Sequence, residues 1–331
     1  MGVRASNSAM EDTSPAADTI GAAALLGGRW RLDAPIGSGG MGEVWRCHHE
    51  VLGRVAAVKL VRSGLTADRG RLLQEARVLA SIRHPAVVEV LDCGEHEGIG
   101  FYVMELLEGR TLGTKIRARG PLMPSEAVEL LLPILDGLDA AHGAGVIHRD
   151  VKPENVFLVA TGVGERPKLI DFGIARVRAS STRWTVAGEL VGTPDYMAPE
   201  QLHGGEADAR TDVWAVGATL YEAIAGKAPF EADDLSATLQ RILAEPPTRI
   251  VEPPVDDAFW DLLSRALAKS AADRFPSASS FATHLRAWAR STEAGVAGLA
   301  RTQPSLADVP VRDPLRGSLD ALLRGKLTPK S

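Results

Sequence analysis

A glycine-rich segment and the residues after it constrain the fold of this chain more than any other part of the sequence. Residues 37–42 read Gly-Ser-Gly-Gly-Met-Gly, the G-x-G-x-x-G spacing that lets backbone N–H groups approach a polyphosphate with no Cβ in the way. A dinucleotide-binding fold uses the same spacing, but it needs a helix at the last glycine and an acidic residue about 20 positions further on. Here residues 44–47 have strand composition, and the residue 22 positions after Gly37 is Lys59. Since a lysine suits a phosphate and not a ribose hydroxyl, phosphate binding is favoured over a dinucleotide fold.

Four further motifs follow, and their order is more specific than any one of them. Glu75 lies sixteen residues after Lys59, in a segment whose apolar residues have helical spacing. The other three are His-Arg-Asp-Val-Lys-Pro-Glu-Asn at residues 148–155, Asp171-Phe172-Gly173, and Ala198-Pro199-Glu200 after a Gly192-Thr193-Pro194 segment. The ordered set resembles the eukaryotic-type protein kinase family, and within it the bacterial serine/threonine kinases, over about residues 28–290.

The resemblance implies an α+β, two-lobed fold with a small β-rich N-lobe and a larger, mainly helical C-lobe. We expect the N-lobe at residues 28–105 and the C-lobe at residues 106–290, and the patterns agree with this division. Strand composition occurs at 42–47 and 54–62, and helical spacing at 69–83, 125–142, 211–225 and 256–268. Residues 1–27 and 291–331 contain few large apolar groups, so both are predicted to be mostly disordered.

Composition excludes several other classes of protein. The 331 residues are 45% hydrophobic and carry 37 Lys and Arg against 42 Asp and Glu, a formal net charge of −5 that gives no reason to expect nucleic acid as a partner. The longest stretch without a charged residue, 275–285, is eleven residues long, whereas a bilayer-spanning helix needs about 20. With two cysteines and no secretory signal pattern, a cytoplasmic protein without a membrane span is expected.

Four residues are predicted to carry the chemistry. Asp150 would orient the attacking hydroxyl and accept its proton, and Lys152 would counter charge on the transferred phosphoryl group. Lys59 would hold the α- and β-phosphates, and Glu75 would orient Lys59. An inactive relative would usually lack one of Lys59, Asp150 and Asp171. Because all three are present, an active kinase is favoured over the alternative, a nucleotide-binding scaffold that signals by conformation.

ATP and Mg²⁺ are the expected cofactors. Asn155 and Asp171 offer the hard oxygen ligands that Mg²⁺ prefers. The resemblance implies that Met104 guards the back of the adenine pocket. It also implies the following nucleotide-binding residues, in addition to Lys59: Gly37, Ser38, Gly39, Gly40, Met41, Gly42, Val44, Ala57, Glu105, Leu107 and Phe157.

The expected partners are proteins with Ser or Thr acceptors, because a lysine at position 152 and a threonine at Thr193 accompany such acceptors in the family. Thr193 would position the substrate. Arg149 would bind a phosphate on the activation loop, with Thr185 as the first candidate phosphosite and Thr182 as the second. The alternative for Arg149 is a structural role in its loop. Self-association would allow one copy to phosphorylate another.

The resemblance also predicts supporting contacts. Leu79, Val90, His148 and Phe172 would stack between the lobes. Asp212 would anchor the loop that carries Asp150, and Glu200 would pair with Arg274.

Overall fold

The computed structural model describes residues 21–39, 42–61, 76–172 and 194–292. The first part of this chain is a six-stranded antiparallel sheet in the order β1-β2-β3-β4-β6-β5. The strands are β1 (Leu25–Leu26), β2 (Trp30–Gly39), β3 (Gly42–His49), β4 (Val55–Val61), β5 (Val90–His96) and β6 (Ile99–Met104). Residues 76–81, between β4 and β5, are helical.

The N-lobe sheet begins earlier than the sequence suggested. Leu25–Leu26 pairs with β2, and Leu26 is fully buried. Ala23 N–H also donates to Leu32 O at 3.0 Å. Leu25 and Leu26, which lie in the segment predicted to be mostly disordered, therefore belong to the sheet. The short apolar run that makes this strand is flanked by glycines, and its burial depends on the long strand β2 beside it.

Alternation along β4 separates two hydrophobic clusters, because successive side chains of a strand point to opposite faces. Val58 and Leu60 pack with Trp45 and Phe101 on the outer face of the sheet. Ala57, Val61 and other side chains on the inner face belong to a second cluster that continues into the helices of the C-lobe. Lys59 lies between Ala57 and Val61 in sequence, so it shares their inward face.

The C-lobe is mainly helical. Its helices are α1 (Leu112–Arg119), α2 (Pro124–Gly143), α3 (Pro199–Leu202), α4 (Ala209–Ala225), α5 (Leu235–Ala244), α6 (Asp257–Ala266) and α7 (Ala278–Ser291). The helices predicted at 125–142, 211–225 and 256–268 are confirmed as α2, α4 and α6, and α2 continues through Pro133. The N-terminus of α6 is capped by Asp256, whose carboxylate accepts from Phe259 N–H at 2.7 Å.

A small second sheet joins the lobes; its first strand precedes α1 in sequence, and its other two strands lie between α2 and α3. It pairs β7 (Gly109–Thr111), β8 (Val156–Thr161) and β9 (Gly164–Leu169) in that order. At the end of β9, Leu169 N–H donates to Ala86 O at 2.8 Å, and Leu169 O accepts from Val88 N–H at 3.0 Å. These two bonds fasten the strand that leads to Asp171 onto the segment that enters β5. The α+β, two-lobed fold is thus confirmed. Within the described ranges, no helix is both long enough and apolar enough to cross a membrane.

Candidate active site

A row of side chains across the N-lobe sheet faces the C-lobe. Val44 of β3 lies opposite Lys59 of β4, which in turn lies opposite Tyr102 of β6. Directly opposed residues of neighbouring strands share a face, so these three side chains point the same way. Lys59 is only 8% exposed, and its Nζ lies 2.7 Å from Asp171 Oδ1. The sheet therefore places a buried cation next to a carboxylate of the C-lobe.

Asp171 lies two residues beyond β9 in a left-handed backbone conformation, with φ of +56°. Non-glycine residues rarely adopt this conformation, although Asp tolerates it better than most, and such conformations concentrate at functional sites. The next residue, Phe172, is buried against His148 with ring centroids 4.5 Å apart. His148 Nε2 in turn contacts Ile170 O at 3.0 Å. The turn that carries Asp171 is thus held from both sides.

The loop before β8 brings three predicted site residues together. Asn155 ends a short 3₁₀ turn, Pro153–Asn155, and its Nδ2 donates to Asp150 O at 2.7 Å and to Asp150 Oδ2 at 3.1 Å. Lys152 Nζ lies 3.3 Å from the same Oδ2. The carboxylate of Asp150 is therefore fixed by an amide and an ammonium from its own loop.

Asp212 on α4 anchors this loop from below, as expected. Its fully buried carboxylate accepts from His148 N–H and Arg149 N–H, both at 2.8 Å. Its Oδ2 also contacts His142 Nε2 at 2.7 Å. The bond to Arg149 holds that residue in a left-handed conformation with φ of +66°. Burial lowers the pKa of His148, so its ring is neutral in the folded protein at pH 7.

The guanidinium group of Arg149 has a nitrogen without a hydrogen-bond partner in the described part of the chain. The backbone carbonyl of Arg149 accepts from Gln201 Nε2 at 3.2 Å, which links the loop that carries Asp150 to α3. Its buried Nε has no hydrogen-bond partner among the described residues. A buried charged donor without an acceptor is costly, which suits this side chain to an anionic partner from elsewhere.

The end of β6 and the residues after it are the segment that was predicted to be the hinge. Met104 is buried and lies opposite Ala57 of β4. Glu105 N–H donates to Glu89 O at 3.0 Å, while the carboxylate of Glu105 contacts Lys168 Nζ and accepts from Glu89 N–H at 2.8 Å. The N–H of Glu105 is thus already used within the described residues, so a ligand would have to bind the backbone of this residue through its carbonyl. Leu107, two residues on, is half-buried.

Glycine is required at one end of the glycine-rich segment. Gly42 begins β3 with φ of +146°, and a Cβ there would lie 1.9 Å from Leu60 O. Gly39 and Gly42 face each other across β2 and β3, and Gly37 lies opposite Val44. Ser38, opposite Glu43, is exposed. The described part of the segment is thus a strand pair, which distinguishes it from the strand-to-helix turn of a dinucleotide fold.

Lower in the C-lobe, Glu200 and Arg274 form the expected ion pair. Arg274 Nη1 and Nη2 contact the two carboxylate oxygens of Glu200, each at 2.8 Å, and the arginine side chain is fully buried. Burial alone would raise the pKa of Glu200, but Arg274 overrides it and holds this pKa below its ordinary value. Thr211 Oγ1 adds a third bond, at 2.9 Å.

Several predicted residues lie outside the described ranges: Gly40, Met41, Glu75, Thr182, Thr185 and Thr193. Phe157 on β8, half-buried, is described. Two residues near the site were not predicted. Tyr102 donates to Asp171, and its only sequence signal is a hydroxyl in an otherwise apolar strand. The contact of His142 with Asp212 left no signal beyond a histidine near the end of the α2 pattern.

The donor atoms fit Mg²⁺ held together with a nucleotide. Asn155 uses its amide nitrogen on Asp150, which leaves its amide oxygen for a cation, and Asp171 retains Oδ2. Across the described ranges, no cluster of three or more His, Cys, Asp and Glu could hold a metal. Magnesium does not need such a cluster, since it usually binds through one or two carboxylates plus substrate phosphates.

The chain is similar to known proteins over most of its length. A model of the protein kinase domain matches residues 30–285. A probable serine/threonine-protein kinase PknB of Corynebacterium glutamicum is 38% identical over 280 residues, which cover 79% of this chain and 42% of that protein. Serine/threonine-protein kinase Pkn1 of Myxococcus xanthus is 35% identical over 319 residues, covering 92% and 46% respectively.

Serine/threonine-protein kinase PknL of Mycobacterium tuberculosis is 40% identical over 269 residues, covering 80% of this chain and 66% of that protein. The chain thus spans less than half the length of the PknB and Pkn1 relatives. Both the family match and the loop geometry around Asp150 lead to the same assignment: the chain belongs to the protein kinase family.

Proposed function

We propose that this chain transfers the γ-phosphoryl group of ATP to Ser and Thr hydroxyls of proteins. The observation that carries the proposal is the fixed carboxylate of Asp150, whose Oδ2 contacts Asn155 Nδ2 at 3.1 Å and Lys152 Nζ at 3.3 Å. A carboxylate held in this way can orient a hydroxyl and accept its proton. Phosphoryl transfer requires little covalent work from a protein, so positioning and charge carry the reaction.

The lysines supply the positive charge. Lys152, beside Asp150, counters charge on the group being transferred. Lys59 binds phosphate oxygens, and its cross-strand position between Val44 and Tyr102 aims it into the cleft. Glu75 has the role of orienting Lys59. These assignments are supported by the burial of Lys59 and by its contact with Asp171.

Asn155 and Asp171 would hold Mg²⁺ through one amide oxygen and one carboxylate. When bound with ATP, the metal ion neutralises charge on the phosphate oxygens. The contacts within the loop support this assignment, because Asp150 draws the amide nitrogen of Asn155 and so orients the amide oxygen away from itself.

The nucleotide would bind between the sheet and the hinge. The N–H groups of residues 37–42 would contact the phosphates, and the Glu105 carbonyl and Leu107 N–H would pair with the base. Val44, Ala57 and Phe157 would flank the base. Support comes from Val44 and Ala57, which share the inward face of the sheet with Lys59, and from the Glu105 N–H, which is already committed to Glu89.

Activity would be regulated through Arg149, whose Nε has no hydrogen-bond partner in the described part of the chain and suits a phosphate on the activation loop. Thr185 is the first candidate phosphosite and Thr182 the second, and Thr193 would position the acceptor. Phosphorylation of one copy by another requires transient self-association. Relatives named as serine/threonine kinases support Ser and Thr as the acceptor class.

Intact mass after incubation with Mg·ATP tests the proposal. The wild-type protein should gain phosphate groups that map to Thr185 and then Thr182, and Asp150→Asn should gain none. The exposed Asp233 offers a matched control, since Asp233→Asn makes the same chemical change away from the loop and should behave as wild type.

Two further outcomes bear on the proposal. If the wild-type protein bound ATP but gained no phosphate and phosphorylated no generic protein substrate, the scaffold alternative would replace it. If Arg149→Ala and Thr185→Ala both kept full activity, the regulatory part would be wrong while the catalytic part stood.

A further inference from the structure

A buried tyrosine contacts the proposed metal ligand. Tyr102 on β6 is only 4% exposed, and its hydroxyl donates to Asp171 Oδ1 at 3.3 Å. Buried tyrosine hydroxyls normally find a hydrogen-bond partner, but this partner is a carboxylate of the other lobe, 69 residues further along the chain. None of the roles proposed above for the site residues uses this hydroxyl.

The sheet explains why the hydroxyl arrives there. Tyr102 and Lys59 are directly opposed on β6 and β4, so their side chains leave the same face of the sheet and converge on one oxygen. Lys59 Nζ approaches Asp171 Oδ1 at 2.7 Å and is the stronger donor, since both partners are charged. Tyr102 adds a second donor from a rigid central strand.

The two donors act on a residue that needs support. Asp171 has a sparsely populated backbone conformation, and its carboxylate could otherwise rotate about its side-chain bonds. With Lys59 and Tyr102 both on Oδ1, the orientation of the carboxylate is set and Oδ2 is left for a cation. A carboxylate has enough lone pairs to accept both bonds and still bind a metal.

We propose that Tyr102 is a positioning residue that holds Asp171 ready to bind Mg²⁺ before the nucleotide arrives. The inference rests on the proposed function, because it takes Asp171 to be a metal ligand. If Tyr102 served only to fill space in the core, a phenylalanine would serve equally well. Tyr102→Phe therefore separates the two roles, because it removes one oxygen and keeps the ring.

The matched control is Tyr221→Phe. Tyr221 is also buried, and its hydroxyl donates to Thr248 O at 3.0 Å within the C-lobe. The two variants lose the same group, one beside Asp171 and one in the C-lobe core. Tyr102→Met, a second variant without the hydroxyl, guards against an effect peculiar to phenylalanine.

The first measurement is amide hydrogen exchange in the metal-free protein. Residues 168–172 should exchange faster in Tyr102→Phe than in wild type, and Tyr221→Phe should leave them unchanged. The second is Mn²⁺ binding in the presence of ADP, followed by electron paramagnetic resonance. Tyr102→Phe should weaken it about three- to tenfold, the size expected for losing one ordinary hydrogen bond.

Unchanged exchange, unchanged Mn²⁺ affinity or tighter binding in Tyr102→Phe would each overturn the inference. So would an equal loss of affinity in Tyr221→Phe. If wild type bound no Mn²⁺ at all with ADP, the proposed function would fail and this inference with it. If wild type bound Mn²⁺ and Tyr102→Phe matched it, only the inference would fail.

Discussion

Lys59 Nζ lies 2.7 Å from Asp171 Oδ1, an ion pair between two residues that are 112 positions apart in the chain. One partner comes from a central strand of the N-lobe sheet and the other from the turn after β9. The pair links the two lobes at the site where the proposed reaction occurs. Its lysine side chain is only 10% exposed, so solvent screens it little.

Lys59→Met should abolish most phosphoryl transfer. The substitution removes the buried cation and leaves Asp171 with only Tyr102 as a donor among the contacts described above. We expect a fall of about 100-fold or more in kcat/KM, the usual size for losing one preorganised electrostatic group. Lys227→Met, at an exposed position, should match wild type in the same steady-state assay. Retained activity in Lys59→Met would contradict the role of Lys59.

Asp212→Asn should loosen the loop that carries Asp150. An amide can accept through only one oxygen, so its NH₂ group would face His148 N–H, Arg149 N–H or His142. Leaving one such buried donor unsatisfied costs about 1–3 kcal/mol of unfolding free energy. Urea unfolding should show this loss, and kcat should fall while KM for ATP changes little.

Asp208→Asn is the control for Asp212→Asn, because Asp208 caps the same helix, α4, and asparagine caps a helix as well as aspartate does. Its unfolding free energy should stay close to that of wild type. Equal stability of both variants would show that Asp212 is not needed to anchor the loop.

Gly42→Ala should cost far more than Gly37→Ala. At Gly42 a Cβ would lie 1.9 Å from Leu60 O, and φ of +146° disfavours any side chain. At Gly37 the nearest atom to a new Cβ is the Val44 Cβ at 3.9 Å, an ordinary contact. We expect Gly42→Ala to lower the free energy of unfolding by about 1–3 kcal/mol or more and Gly37→Ala to lower it little, as measured by thermal unfolding. Similar losses at both positions would contradict the close approach of β3 to β4.

Removing Arg274 should destabilise the C-lobe. Arg274→Met leaves the half-buried Glu200 without its ion-pair partner. For buried pairs, removing one partner lowers the free energy of unfolding by about 3–5 kcal/mol. Arg210→Met is the control, since Arg210 pairs with Asp208 at the surface and such pairs contribute about 1 kcal/mol or less. Chemical denaturation of both variants should show this contrast.

The same pair predicts a pH dependence of stability. Since the pKa of Glu200 in the folded protein lies below the ordinary value of 4.5, the contribution of its ionised carboxylate to stability is complete above pH 4.5. It is lost as the pH falls through the depressed folded pKa. As the pH falls below about 5, the free energy of unfolding of wild type should therefore decline more steeply than that of Arg274→Met. If the free energies of unfolding of the two proteins fell in parallel with pH, the ionisation of Glu200 would not depend on Arg274.

Motif order predicted which residues the structure brings together better than local pattern predicted the individual contacts. Lys59, Asp150, Asn155 and Asp171 could be named because phosphate, proton and Mg²⁺ each require a particular residue type, and because their order is specific. The long helices α2 and α4 were predicted well because apolar periodicity is strong over many residues.

Contacts that depend on strand register could not be predicted. Tyr102 reaches Asp171 only because β6 pairs with β4 at one particular register, which places it opposite Lys59. The strand β1 was missed because two residues carry no periodicity, and their burial comes from β2. The use of Glu105 N–H by Glu89 likewise depends on how β5 and β6 meet.

Labelled ATP shows directly which phosphate the protein transfers and to which residues. Purified protein and a generic Ser/Thr protein substrate are incubated with Mg²⁺ and ATP labelled at either the γ- or the α-phosphate. If the chain transfers the γ-phosphoryl group with the help of Asp150, γ-label alone should appear on Ser and Thr of the substrate, and Asp150→Asn should transfer none. Transfer of α-label, label on tyrosine alone, or equal transfer by Asp150→Asn would contradict the proposed function.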